Sequence, residues 1–272
     1  MHTLLIAGDI ADCQFRPASL SGAAKTAPLV EAALHSAAGN SSVITLGDHT
    51  YPDGAAQEFD DCYSPSWGRF KNITHPSPGN HDYNTPLAAG YYDYFADRAG
   101  PARRGYYSYD IAGWHIVSLN SNIDAAMDSA QMQWLRDDLA ASKALCTIAY
   151  WHHPLFTSGM RGNFGQMKTA WKILHNAGAD VVLSAHDHHY ERFAPQDAEG
   201  NTDTTQGIRE FMVGTGGANL SRIMENPRLN SEARDNSSHG ILRLELAQGK
   251  YRWDFLPVSG GNYRDSGIGS CH

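Results

Sequence analysis

Ser42-Val43-Ile44-Thr45-Leu46-Gly47-Asp48-His49-Thr50-Tyr51 is the stretch that decides the fold. Its first five residues form a short apolar run rich in β-branched side chains, which predicts a buried strand. Gly47 closes the run where the backbone must turn sharply. Asp48, His49 and Tyr51 follow, all residue types that bind metals. The same pattern occurs four more times. Thr3-Leu4-Leu5-Ile6-Ala7 leads to Gly8-Asp9, and Ile73-Thr74-His75-Pro76 leads to Gly79-Asn80-His81-Asp82. Cys146-Thr147-Ile148-Ala149-Tyr150-Trp151 ends in His152-His153-Pro154, and Val181-Val182-Leu183-Ser184-Ala185 ends in His186-Asp187-His188. Ligands of an α/β sheet gather outside the carboxyl ends of its strands. Five such ends bearing Asp, Asn, His and Tyr predict one shared site.

Between these runs the spacing is helical. Lys25 to Ala38 is rich in Ala and Leu, Ser129 to Ser142 places Met132, Leu135 and Leu139 on one face behind the N-cap Ser129, and Ala170 to Ala177 stops before Gly178. After Tyr106 the character changes. Tyr107 to Ile111 and Trp114 to Leu119 flank Ala112-Gly113 as a hairpin, and Arg209 to Val213, Gly240 to Leu246 and Tyr251 to Leu256 read as further strands. Site candidates run from Asp9 to His188 with no linker between them. The expectation is therefore an α/β protein with two packed mixed sheets in a single domain over residues 1–272.

The chain has 272 residues and a formal net charge of −8, which argues against nucleic acid held through its phosphates. An acidic protein that binds an anion needs local positive charge, and bound metal supplies it. No apolar stretch approaches the length of a membrane span. Histidine is frequent, but His35, His115 and His175 are expected to have no functional part. Cys13, Cys62, Cys146 and Cys271 contain no CxxC pair, so a zinc knuckle is not expected. Their even number suits an oxidising compartment, with four reduced buried cysteines as the alternative. Cys13–Cys62 and Cys146–Cys271 are the expected bridges, each tying a loop or tail to the strand ends it flanks. Met1-His2 leads straight into the first strand, so a secreted or periplasmic protein would here be the mature form with an added start.

In their order along the chain, Gly8-Asp9, Gly47-Asp48-His49-Thr50-Tyr51, Gly79-Asn80-His81-Asp82, His152-His153-Pro154 and Ala185-His186-Asp187-His188 resemble the calcineurin-like metallophosphoesterases. Within them the chain is similar to the purple acid phosphatase branch. Generic members carry a histidine ligand two residues after the first aspartate, where this chain has Ala11. The branch supplies a tyrosine instead, at the position of Tyr51. The resemblance implies a four-layer α/β/β/α sandwich. It implies one metal on Asp9, Tyr51 and His188, a second on Asn80, His152 and His186, and Asp48 as the bridge. A phenolate ligand implies Fe(III) in the first site and a divalent ion (Zn, Fe or Mn) in the second.

The implied activity is acid phosphomonoester hydrolysis by metal-bound hydroxide acting on a small-molecule phosphoester. A phosphodiesterase or nucleotide hydrolase on the same site, and a metal-binding protein without turnover, are the rivals. Asn80 and His81 are expected to contact the substrate, with His81 as acid or phosphate ligand, and His153 and His189 as further candidates beside the metal ligands. Tyr190, Arg192 and Arg222 are weaker pocket candidates. Gly214-Thr215-Gly216-Gly217 lacks a P-loop lysine and reads as a turn at the sheet edge. No membrane partner is expected.

Overall fold

The computed structural model describes residues 1–37 and 39–272. Its strands are β1 (His2–Ala7), β2 (Ala11–Asp12), β3 (Ser41–Leu46), β4 (Thr50–Tyr51), β5 (Thr74–Ser77), β6 (Tyr107–Ile111), β7 (Trp114–Ser118) and β8 (Cys146–Tyr150). They continue with β9 (Val181–Ser184), β10 (Tyr190–Phe193), β11 (Arg209–Val213), β12 (Ser231–Asp235), β13 (Gly240–Ala247), β14 (Lys250–Pro257) and β15 (Ser266–Ser270). One sheet runs β15-β14-β13-β1-β3-β5 and the other β12-β10-β11-β9-β8-β7-β6, while β2 and β4 form a short parallel ribbon. In the first sheet β1, β3 and β5 are parallel, and in the second β7, β8, β9 and β11 are. Antiparallel strands extend one edge of the first sheet and both edges of the second, so each sheet is mixed.

Alternation along the buried strands divides the core. Trp114 and Ile116 of β7, Ile148 and Tyr150 of β8, and Val181 and Leu183 of β9 join Leu4, Ile44 and Leu244 of the first sheet in one apolar cluster. The intervening Val117, Ala149 and Val182 belong to a second cluster with Met132, Leu135, Trp171 and Leu174. The latter four lie on helices Ala130–Ala141 and Lys168–Asn176, which therefore cover the outer face of the second sheet. Helix Gly22–Ser36 buries Ala23, Ala27 and Val30 and contacts β13 of the first sheet. Helix, sheet, sheet and helix are thus stacked as the resemblance implied.

Helix Gly22–Ser36 begins three residues before the expected start because Ser21 caps it, its side chain accepting from the Ala24 amide at 3.2 Å. Its expected end at Ala38 lies outside the described residues. Ser129 caps the next long helix by accepting from Met132 N, and Gly178, at φ +73°, stops the last. The sequence reading missed β10, β12 and β15, and the two-residue strands β2 and β4. Glycines of β15 are unlike strand residues until the neighbouring strand is seen: Gly267 and Gly269 lie opposite Trp253 and Tyr251, whose rings take the space a Cβ would need.

Both expected disulfides are present, Cys13–Cys62 and Cys146–Cys271. No helix among the described residues is long and apolar enough to cross a membrane.

Candidate metal centre

The carboxyl ends of the two sheets meet. Gly8, just after β1, donates its amide to Val213 O of β11 at 2.9 Å, and a Cβ on Gly8 would lie 2.6 Å from that of Ala185. Only a glycine against a small residue permits this approach, so the alanine at 185 suits the site. Gly214 and Gly216 complete the seam. Gly216 N donates to Gly8 O, and a Cβ on Gly214 would stand 2.7 Å from Asp9 Oδ2. The glycine-rich turn expected at a sheet edge is therefore packed on the Asp9 loop.

Asp9, Asp48 and His186 have positive φ values of 57°, 50° and 71°, which non-glycine residues rarely adopt. Such backbone persists where its surroundings hold it, and here it turns three donors into one space. Tyr51 Oη donates to Asp9 Oδ1 at 2.8 Å and lies 3.2 Å from both Asp48 Oδ2 and His188 Nε2. His152 Nε2 is 3.1 Å from Asn80 Oδ1, 3.2 Å from Asp48 Oδ2 and 3.2 Å from His186 Nδ1. Seven donors from five strand ends thus form two adjoining groups, with Asp48 touching both.

The imidazoles are set up as ligands of a cation. His152 Nδ1 donates to Leu46 O at 2.7 Å and His188 Nδ1 to Asn219 O at 2.8 Å, so Nε2 of each is free to face the cluster. Facing nitrogen lone pairs and two buried carboxylates are an arrangement that a metal pair satisfies. Ligand atoms of Asp9, Asp48 and His152 lie within 4.8 Å of one another, as do those of His152, His153 and His186. The donor set fits two metal ions.

Electrostatics agree with that reading. Burial pushes the Asp9 carboxyl up, but His188 and His152 outweigh it and hold it below the usual range. Asp48 is likewise depressed, its burial overcome by His152 and His81. Burial, then Asp48 and Asp9, push the Tyr51 phenol well above its ordinary value, so only a strong cation would make it a phenolate.

His81 lies at the mouth. Its amide donates to Asp48 Oδ1 at 2.8 Å, its Nδ1 donates to Pro52 O at 2.6 Å, and its Nε2 is 4.0 Å from Asp48 Oδ2. His153 stacks on Phe164 at 4.3 Å and shares a 2.8 Å hydrogen bond with Ser121 through Nδ1. Burial, His152 and His186 push it down to about 2, so it is a neutral imidazole. His189, expected beside the substrate, is instead wholly buried and paired with Glu191 at 3.0 Å. It adjoins a ligand in sequence but turns to the other side of the chain. Tyr190 and Arg192 are likewise occupied, both bound to Asp265, and Arg222 is exposed.

Asp82, in the sequence only the end of its motif, has a role the sequence did not show. Its carboxylate accepts from Gly79 N, Asp48 N, His49 N and His49 Nδ1, so it fastens two ligand loops together. His49 passes the chain on to Thr45 Oγ1 and is a satisfied core residue, not a ligand. Arg161, with Nη2 3.4 Å from His188 Nε2, carried no signal in the sequence.

A two-sheet sandwich with a paired donor set at its joined carboxyl ends defines a metal-centred phosphoesterase framework. The calcineurin-like phosphoesterase family matches residues 2–190, and the chain belongs to it. It is 35% identical to purple acid phosphatase 22 of Arabidopsis thaliana over 154 residues, 53% of this chain and 35% of that protein. The chain thus spans about a third of that relative's length. Purple acid phosphatase PPD1 from yellow lupin (Lupinus luteus) superposes with a TM-score of 0.76 at 18% identity, covering 99% of this chain and 53% of that one. GAP50, described as the anchor in the inner membrane complex of Plasmodium, superposes at 0.72 and 12% identity, covering 100% and 89%. One fold therefore serves different roles, and the role here rests on the site.

Proposed function

We propose that residues 1–272 form one catalytic unit, a secreted or periplasmic acid phosphomonoesterase with an Fe(III) ion on Asp9, Tyr51 and His188 and a divalent ion (Zn, Fe or Mn) on Asn80, His152 and His186. Asp48 bridges them. The observation that carries this is the convergence of Tyr51 Oη on Asp9, Asp48 and His188, since a phenol among two carboxylates is a donor set for a trivalent ion. When bound, the metal pair supplies Lewis acidity, acidifying a water nucleophile and neutralising phosphoryl charge.

The protein's own side chains do the rest. His81 is fixed through Nδ1–H on Pro52 O, so Nε2 is the nitrogen left to face the leaving-group oxygen, and the doubly protonated ring gives up its proton from there. Neutral His153, braced by Ser121 and Phe164, donates to a phosphoryl oxygen. Asn80 turns its Oδ1 to the ligand side, leaving its amide nitrogen for the substrate. Glu191 holds His189 out of the reaction. The two disulfides favour an oxidising compartment.

The test joins colour to turnover. Iron-replete, oxidised protein should absorb visible light through phenolate-to-iron charge transfer, and Tyr51→Phe should lose that band while keeping its fold. An aryl phosphomonoester should be hydrolysed faster than the matching diester. Colourless iron-replete protein would exclude Fe(III) on Tyr51, and faster diester hydrolysis would make the protein a phosphodiesterase.

A further inference from the structure

Arg161 lies on the segment that follows His152-His153-Pro154, and its exposed side chain reaches into the metal centre. Nη2 stands 3.4 Å from His188 Nε2, an atom itself 3.3 Å from Asp9 Oδ1 and 3.2 Å from Tyr51 Oη. Among the described residues no carboxylate forms an ion pair with this guanidinium. A cation aimed at a set of cation ligands, with no anion of its own, calls for an anion that comes and goes.

The segment is built to hold that position. Asp187, between the ligand histidines 186 and 188, is wholly buried; its Oδ2 accepts from Thr157 Oγ1 at 2.8 Å and its Oδ1 from Arg161 N at 3.3 Å. Gly159 passes so close that a Cβ there would lie 2.2 Å from the Asp187 carboxyl carbon. Ser158 donates through N and Oγ to Glu191, and Ser158 in turn accepts from Met224 N and Arg228 N. Glu191 also holds His189, so this buried pair supports the loop from below. The turn that presents two metal ligands thus also fixes the backbone of Arg161, and little order remains to be imposed when an anion arrives.

We propose that Arg161 binds the phosphoryl group of the substrate and makes the site select dianionic phosphomonoesters over monoanionic diesters, a step that rests on the phosphoesterase reading above. A guanidinium matches phosphate oxygens in shape and is always charged. A monoester has three unesterified oxygens and a diester two. Once two cations share the charge of two oxygens, only the monoester retains a charged oxygen for a third cation. Its extra negative charge adds a Coulombic preference of the same sign.

Arg161→Gln and Arg161→Lys, both metal-loaded, test this beside the wild type. Calorimetric titration with inorganic phosphate should show binding weakened by roughly 10–100-fold in R161Q and by less in R161K, the usual worth of a charge-assisted contact. The kcat/KM for an aryl monoester should fall by a similar factor, while that for the aryl diester stays within about 3-fold. Metal content and Tm should match the wild type. Unchanged phosphate affinity, or equal losses on both esters, would overturn the proposal; so would loss of metal from R161Q, which would make Arg161 a support of His188. A wild type that turns over neither ester would instead sink the phosphoesterase reading, and the phosphate titration would still decide whether Arg161 binds the anion.

Discussion

Asp82 shows how much of the centre depends on a residue that touches no ligand atom. Its buried carboxylate accepts three backbone amides at 2.8–3.3 Å and the His49 imidazole at 2.9 Å. Asp82→Ala would leave those buried donors without partners, at about 1–3 kcal/mol for each group left unsatisfied. The expected result is a loss of roughly 3 kcal/mol or more in a urea melt, with metal affinity weakened about 10–100-fold because Asp48 and Asn80 lose their fixed spacing. Unaltered metal affinity would show that the loops hold themselves. The seven donors that the structure brings together each follow an apolar run and so stood out in the sequence, whereas Asp82 did not, since its partners Asp48 and His49 are 34 and 33 residues away. His189 was misread for a related reason. Adjacency to His188 says nothing about which way a turn points the ring, and Glu191 two residues on captured it.

Elements were legible where apolar side chains run on or alternate, and burial alone did not suffice, since the buried but polar β10 (Tyr190-Glu191-Arg192-Phe193) was missed. Strands β1, β3, β8 and β9, buried nearly throughout, were legible as continuous apolar runs, while β12, half exposed and polar, was not. A polar contact beneath β6 and β7 gives an element-scale prediction. His115 of β7 bonds Asp138 of helix Ala130–Ala141 through Nε2 and Asp110 of β6 through Nδ1, each at 2.8 Å. The Asp138 bond, opposed by burial and helped by Asp110, raises the imidazole above its usual value near about 6.5. A histidine raised on folding stabilises fully below its unfolded pKa and loses that contribution as pH climbs through the folded one. His115→Gln should therefore cost about 1–3 kcal/mol at pH 5.5–6, and distinctly less near pH 9. Urea melts at the two pH values read this directly; equal losses at both would mean that His115 is neutral in the fold.

At the scale of the whole molecule, the two sheets are cross-linked at opposite ends. At the carboxyl ends the centre draws Asp9, Asp48, Tyr51 and Asn80 from loops of the first sheet and His152, His186 and His188 from the second. At the other end Cys146, the first residue of β8, is bonded to Cys271, just past β15 of the first sheet. About 20 Å of extended chain separates Cys146 from His152 at roughly 3.3 Å per residue. Neither link was fully legible beforehand: the pairing of cysteines was expected, but that it would mirror the metal centre across the sandwich depends on strand order, which no local pattern encodes. Links so far apart should act independently. Chelating the metals should lower stability by about 3–4 kcal/mol for an ion held with free metal at several hundred times its Kd, and so lower Tm by roughly 6–16 °C. Reducing the Cys146–Cys271 bridge, or replacing both cysteines by serine, should cost about 2–4 kcal/mol separately. Done together, the two losses should add to within about 0.5 kcal/mol. Calorimetry of the four states (metal-loaded or chelated, bridged or not) measures all of this at once. A chelated protein with an unshifted Tm would mean that the seven donors hold no ion in the native state. A combined loss far from the sum would mean that the sheets slide as one unit, and that either link alone sets their register.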